Sequence, residues 1–545
     1  MKQLGNDRTL IHRVVLALAL VIILANAIRV GRMKEDFFFD EKCTFSFANM
    51  IDITAGEFLQ SIKDHDYQLL ETMKDWENSS LLQGTRFTDD EAYKYMYVKE
   101  GKRFRYFGTL LADMADSHPP LYYLLFHTVC SFFINMPLMQ VGLLINYICL
   151  FVTCFLVYLI CKKYSDGFCA VIALLYYGLS FDFANNVTYI RNYAILTMWF
   201  ALLLYLNYDL FKENGELNKK QLRAICVVEI IAMLTQFYAA LFILPLFAVN
   251  IMRMKAHGLK AGTYIKSQVV TAVIYLIIWP VSIFQVLFDE SAYEVRGSIF
   301  SPALPGKLKG FASLLRNSLF AGNSLVLFIS FAAVMAMIIL FRYKNMKGQT
   351  FVAAIGSENV EKGVLILIPT AVYYVFTAIS SPWAVDRYEM AIIPEISILV
   401  VLAFWYIGKM VIKNQWAVAG ILTALVVLTA IGNMSLRPYY LYPMNQVKQH
   451  FIDSYSDTEA IVVEPQYNVE LPDMFMSLHH PYWTYVKSEK LADFLDEKSG
   501  DYSSFVLYIN KVCDTDSILD EFAQKGFNLN KCEFEKDFFY VYAVE

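Results

Sequence analysis

Residues 10–41 read LIHRVVLALALVIILANAIRVGRMKEDFFFDE. The run from Leu10 to Val30 is apolar and as long as the roughly 20 residues a helix needs to cross a bilayer. It is too long for a signal-peptide core and lacks a small-x-small cleavage site, so it reads as a retained anchor. Just beyond it, Phe37-Phe38-Phe39 leads into Asp40-Glu41. With the N-terminus inside, this acidic pair stands on the membrane surface facing away from the cytoplasm. Adjacent carboxylates behind three aromatics are costly to desolvate and add little stability. They are therefore the first candidates for chemistry.

The rest of the chain extends that reading. It has 545 residues, of which 57% are hydrophobic and only 18% charged, with a mean hydropathy of +0.41. A soluble chain carries about a quarter charged residues, so a polytopic α-helical membrane protein is expected. The net charge of −5 says little by itself, because sign asymmetry across the bilayer matters more than the total. No basic domain or nucleic-acid motif is present, which excludes a nucleic-acid partner. Seven of the nine cysteines lie in or beside apolar segments, where lone thiols behave as small hydrophobes. Cys513 and Cys532 fall in the polar tail, where their spacing allows a disulfide without requiring one.

Eleven segments are long and apolar enough to be expected as spans: 10–30, 138–161, 168–187, 193–211, 222–236, 239–252, 266–287, 324–341, 363–379, 391–409 and 416–434. Lysine and arginine gather at alternate connections, as at Lys162-Lys163, Lys219-Lys220 and Arg253 with Lys255. By the positive-inside rule those connections are cytoplasmic. The others, 32–137, 188–192, 236–238, 288–323, 380–390 and everything after 434, then face out. Arg29, Arg32 and Lys34 argue for the opposite orientation and are outvoted by the later loops. The apolar run Pro119 to Met136 would invert those loops if it crossed, so it is expected to dip into or lie along the outer leaflet.

The large first outer loop, 32–118, includes the amphipathic stretch Phe104 to Met114, suited to a helix lying on the membrane plane. Composition changes sharply after 434. Ala460 to Val463, Ser504 to Ile509 and Phe538 to Val544 read as short strands, and Leu491 to Glu497 and Ser517 to Lys525 as polar helices. The expected organisation is a multi-spanning domain over 1–434 and a small extracytoplasmic α/β domain over 435–545.

Three outward-facing features carry polar chemistry. Asp40-Glu41 is the first. Asp116-Ser117-His118 before Pro119-Pro120-Leu121-Tyr122-Tyr123 is the second; helix capping explains one of these polar residues, but not three together at a membrane entry. The third is Arg191, in Tyr189-Ile190-Arg191-Asn192-Tyr193, with Arg387, in Asp386-Arg387-Tyr388. Arginines at helix ends can simply snorkel; the functional alternative is a guanidinium fork gripping a phosphate at headgroup level. Asp89-Asp90-Glu91 resembles metal–nucleotide-sugar motifs but reads as a solvated helix start. His479-His480, if on a strand, would point to opposite faces.

On these residues the chain resembles the GT-C class of polyprenyl-phosphate-sugar-dependent glycosyltransferases, which includes protein O-mannosyltransferases and lipid A aminoarabinose transferases. The resemblance rests on Phe39-Asp40-Glu41, on the run His118 to Tyr123, on Arg191-Asn192-Tyr193-Ala194, and on Arg387-Tyr388 followed by Pro394. They occur in the class's order over about 1–435. The chain departs from it at Lys42-Cys43, where some members have small and aromatic residues. The resemblance implies a GT-C-like fold and transfer of a hexosyl or pentosyl group from a polyprenyl-phosphate donor to an extracytoplasmic glycan, lipid or protein. It makes Asp40 the base of an inverting reaction and Glu41 its support. Asp116, His118, Tyr122, Tyr193 and Tyr388 join the substrate-binding set, with Arg191 and Arg387 on the phosphate. A divalent metal, which some relatives use, stays open: no HExxH-like spacing supplies ligands.

Two other functions compete. A transporter or flippase would bury ionisable residues at mid-membrane and often show repeats; here Glu229 and Glu395 are the main charges expected inside spans, and no repeat is evident. A polymerase or ligase of envelope polysaccharide would share the lipid-linked donor but use a different base.

Overall fold

Apolar runs become helices in the computed structural model, which describes residues 2–63, 83–84, 86–88, 96–114, 116–211, 216–288, 290–299, 301–345, 358–465, 478–536 and 538–545. Asp89-Asp90-Glu91 lies outside the described residues. Six helices are long and apolar enough to cross a membrane: Ile11–Gly31, Leu138–Tyr164, Phe237–Ala256, Val360–Ser380, Met390–Val411 and Gln415–Ser435. Three further helix pairs qualify only when joined across a bend. They are Gly167–Gly178 with Phe181–Thr188 (55°), Gly262–Ile278 with Ser282–Phe288 (89°) and Leu304–Phe320 with Ser324–Leu340 (91°).

The described residues thus offer six to nine spans, against eleven expected. Part of the difference is length. Tyr193–Tyr208 has 16 residues and Lys219–Thr235 has 17; at 1.5 Å per residue both fall short of the roughly 30 Å hydrocarbon core. The bends have local causes. Ser180 Oγ accepts the Phe183 N–H at 3.1 Å and starts a new helix after Leu179. Pro280 stands in the second break, where its missing N–H cannot continue the ladder. In the third, Ala321 and Gly322 take left-handed φ values of 50° and 73°, which terminates the helix before it. The run Pro119 to Met136 forms a helix over Leu121–Phe132; its 12 residues extend about 18 Å, too short to cross.

The chain divides into two compact units. The first takes Met1–Met33, Asp116–Tyr122 and Gly142–Tyr439 and holds most of the apolar helices. The second takes Lys34–Ala115, Tyr123–Val141 and Tyr440–Glu545. Its centre is a six-stranded sheet built from β1 (Arg86–Phe87), β2 (Ala460–Glu464), β3 (Trp483–Lys487), β4 (Phe505–Asn510), β5 (Leu529–Lys531) and β6 (Phe539–Val544), in the order β1-β3-β2-β4-β6-β5. β3, β2 and β4 run parallel. β2, β3 and β4 are buried throughout, as parallel strands covered on both faces must be. One face packs Phe451, Trp483, Tyr508 and Phe539, and the other Leu491, Leu507, Ile509 and Phe522.

Three of these strands match the expected Val-rich and aromatic runs. β1 comes instead from the first loop and pairs antiparallel with β3. His480 is not on a strand: its Nδ1 donates to the Thr458 carbonyl and its Nε2 accepts from the Tyr508 hydroxyl, each at 2.7 Å. Cys513 and Cys532 are not joined by a disulfide.

Candidate functional site

Two groups of residues expected to carry chemistry are described in turn, one in each unit. The first surrounds helix α2 (Phe39–Asn49). Phe38, extended at φ −73° and ψ 153°, precedes the helix and has no side chain able to cap it. Glu41 does so by reaching back: its Oε2 accepts the Phe38 N–H at 2.6 Å, satisfying one of the amides a helix start leaves open. The same oxygen receives Lys34 Nζ at 2.9 Å, and both side chains are fully buried. Lys34 also donates to the Tyr440 carbonyl at 2.7 Å. Burial pulls the Lys34 ammonium below its ordinary pKa, with the Glu41 carboxylate opposing that pull.

Asp40 is placed differently. It stands in the first turn of α2 and is only partly buried, where the positive end of the helix dipole favours its anion. Its backbone is held by the ring before it. Phe39 meets Phe538 at 5.6 Å, Phe38 stacks on Tyr442 at 5.9 Å, and Phe37 packs edge-on to Phe45 at 4.9 Å. The aromatic run therefore anchors the acidic pair through three separate contacts. Asp36 nearby pairs with Lys448 and lies 3.7 Å from Lys42. Burial alone would raise its pKa, but Lys42, Lys448 and Lys536 outweigh it and hold the carboxyl below its usual range.

The second group lies in the first unit. His118 Nδ1 donates to Asp116 Oδ2 at 3.0 Å, which leaves Nε2 to accept from Arg191 Nη2 at 3.3 Å. The Asp116 carbonyl takes the Gln285 amide at 2.6 Å. Arg191 is 6% exposed. Its loop is held by Asn146, whose amide donates to the carbonyls of Asn186, Val187 and Tyr189 at 2.8–3.3 Å. Asn192 adds a bond to the Thr235 carbonyl at 2.8 Å. Arg387 Nη1 donates to the Tyr189 hydroxyl at 3.1 Å, and Tyr189 stacks on Tyr193 at 5.5 Å. Tyr388 sits under the Arg387 guanidinium and edge-on to Tyr238. Tyr122 and Tyr193 are buried. Asp116, His118 and Arg191 thus form one chain of contacts, and Arg387 joins the Tyr189–Tyr193 turn beside Arg191.

Several residues escaped the sequence reading. Asn146 is a fully buried amide in a 27-residue apolar helix, the kind of intramembrane polar group that signals a structural or functional task. Asp182 is another. It is fully buried inside a broken helix pair, and neither carboxylate oxygen has a hydrogen-bond partner among the described residues. The spans therefore carry a carboxyl beyond Glu229 and Glu395. Glu389, 1% exposed, accepts from Ser318 Oγ at 2.9 Å. Burial, then repulsion from Asp182 and Asp386, pushes its pKa well above the ordinary value, against the Ser318 bond. Among the described residues, no group of three or more His, Cys, Asp or Glu is arranged to hold a metal ion.

No protein-family model and no curated protein matches the sequence. Solved structures do match. ArnT from Cupriavidus metallidurans bound to undecaprenyl phosphate aligns at a TM-score of 0.50 and 12% identity, over 96% of this chain and 97% of that one. The apo state of the same protein gives 0.49 and 11%, over 96% and 97%. The oligosaccharyltransferase AglB from Archaeoglobus fulgidus, in complex with an inhibitory peptide and a dolichol-phosphate, gives 0.42 and 11%, over 72% and 61%. The chain has the GT-C fold. The GT-C alignment to ArnT spans nearly the whole of both chains, so it includes the helical part and the sheet-bearing tail alike.

Two outcomes are expected. Lys34→Met leaves the Glu41 carboxylate buried without its ammonium and costs about 3–5 kcal/mol. Lys34→Met/Glu41→Gln recovers most of that loss, because the Gln oxygen still caps Phe38; denaturant unfolding in detergent measures both, and simple additivity contradicts the pairing. Glu389 has a raised folded pKa, so the folded state keeps a proton that the unfolded chain loses above about 4.5. Stability then falls as pH rises through that window. Glu389→Gln is expected to flatten this slope and to raise the melting temperature relative to wild type at pH 8 more than at pH 5.

Proposed function

We propose that this GT-C chain is a membrane glycosyltransferase that moves a hexosyl or pentosyl group from a polyprenyl-phosphate donor to an acceptor outside the cytoplasm. The acceptor is a cell-envelope glycan, a lipid or a protein. The observation that carries the reading is the placement of Asp40. It is a partly exposed carboxylate on a rigid helix start, whose neighbour Glu41 is occupied by Lys34 and the Phe38 amide. The shared fold supports it, since the ArnT structure was solved with undecaprenyl phosphate. In this reading the N-terminus is cytoplasmic, the sheet-bearing tail is extracytoplasmic, and the multi-spanning part provides the donor's lipid environment.

The proposed step is an inverting displacement. The acceptor hydroxyl oxygen forms a bond to the anomeric carbon while the bond from that carbon to the phosphate oxygen breaks. The hydroxyl proton passes to Asp40, and the leaving group departs as polyprenyl phosphate. Glu41 acts as a positioning residue, keeping α2 in place. Arg191 and Arg387 offset charge on phosphate oxygens. Asp116 orients His118, and these two with Tyr122, Tyr193 and Tyr388 shape the sugar or acceptor subsite.

A transporter would draw on the carboxyls buried within the helices, Asp182 and Glu395. An assay of purified protein with a panel of polyprenyl-phosphate sugars separates the readings. Wild type is expected to release polyprenyl phosphate, and Asp40→Asn to lose about 10²–10⁴-fold in rate while keeping its melting temperature. Normal turnover in a well-folded Asp40→Asn protein would sink the assignment.

A further inference from the structure

A cavity of about 320 Å³ opens in the first unit, and its lining includes none of the residues given catalytic or substrate-binding roles above. It lies where helices end: Arg29 and Val30 come from the last turns of α1 (Lys2–Gly31), Asn433 from the end of Gln415–Ser435, and Arg437 from just beyond it. Because both helices are long and apolar enough to span, their shared end marks a membrane–water boundary. Leu179 and Leu436 supply apolar wall, and among the described residues no Asp or Glu lines the cavity.

Its polar groups point to one ligand chemistry. Arg29 spends one N–H on Asn26 Oδ1 at 3.0 Å and another on the Met33 sulfur at 3.6 Å, and keeps further donors. Arg437 is exposed and makes no ion pair among the described residues. Two guanidinium groups without an intervening carboxylate suit a phosphodiester. Asn433 closes one side of the cavity: it is 5% exposed, and its amide donates to the Leu179 carbonyl at 3.2 Å.

We propose that this cavity binds the headgroup of an anionic phospholipid of the phosphatidylglycerol class, with Arg29 and Arg437 on the phosphate oxygens. The volume matches a small-ligand site, and the acyl chains would run along the exposed apolar faces of the two helices. The alternative role for Arg29 is to offset the C-terminal dipole of α1, which would be indifferent to lipid class.

Native mass spectrometry of the detergent-purified full chain, titrated with phosphatidylglycerol, phosphatidylcholine or inorganic phosphate, tests the proposal. Wild type is expected to retain phosphatidylglycerol over phosphatidylcholine, and Arg437→Gln to lose about fivefold in that retention, with a similar further loss in Arg29→Gln/Arg437→Gln. Arg437 is exposed beyond a helix end, so its single substitution leaves the fold intact and keeps the test decisive. Equal phosphatidylglycerol retention in wild type and Arg437→Gln, equal retention of phosphatidylcholine, or displacement of the lipid by inorganic phosphate would each overturn the site.

Discussion

A carboxylate sealed from water needs a cation and a hydrogen-bond donor at hand, and Glu41 has both in Lys34 and the Phe38 amide. That one oxygen ties the segment following the first apolar helix to the first turn of α2, and Lys34 extends the tie to the Tyr440 carbonyl. Moving any of these groups would strand a buried charge. The start of α2, and with it the direction in which Asp40 leaves the helix, is therefore fixed by electrostatics. Three phenylalanines before it add packing on separate partners. A base must be held within a fraction of an ångström of its proton, and this is an arrangement that can hold one.

The membrane-rich unit meets a different constraint. Its helices are apolar, so each polar side chain inside them must find a partner or pay in protonation. Asn146 finds three carbonyls and so shapes the loop that carries Arg191. His118 is gripped on both nitrogens, by Asp116 and Arg191, which fixes its ring and leaves it oriented rather than mobile. Glu389, just before the Met390–Val411 helix, accepts from Ser318 Oγ, while burial and the nearby Asp182 and Asp386 push its pKa upward.

Much of this could be read from residues alone, and the reasons for the remainder are physical. Apolar run length showed a polytopic helical chain, and the order of Asp40, His118, Arg191 and Arg387 pointed to the GT-C fold. Contact between His118 and Arg191 followed the expected grouping of polar residues. Run length could not reveal the bends, because an apolar run reads the same whether straight or broken at Ser180, Pro280 or Ala321-Gly322. It also could not show that Lys34, read as a topology signal, is the partner of Glu41, since a spacing of seven across a loop has no periodic signature. Asp182 is visible in the sequence as a carboxyl within an apolar segment, but nothing in its spacing shows that it is fully buried. The edge strand β1 has two residues, too few for any alternation to register.

The central claim is a single-displacement transfer with one carboxylate base, and stereochemistry at the anomeric carbon tests it most directly. With a polyprenyl-phosphate sugar of defined anomeric configuration and an acceptor hydroxyl, proton NMR of the first-formed product gives the configuration of the new bond. The account predicts inversion relative to the donor. Retention would require a covalent intermediate or a second carboxylate at the reacting carbon, and would contradict it.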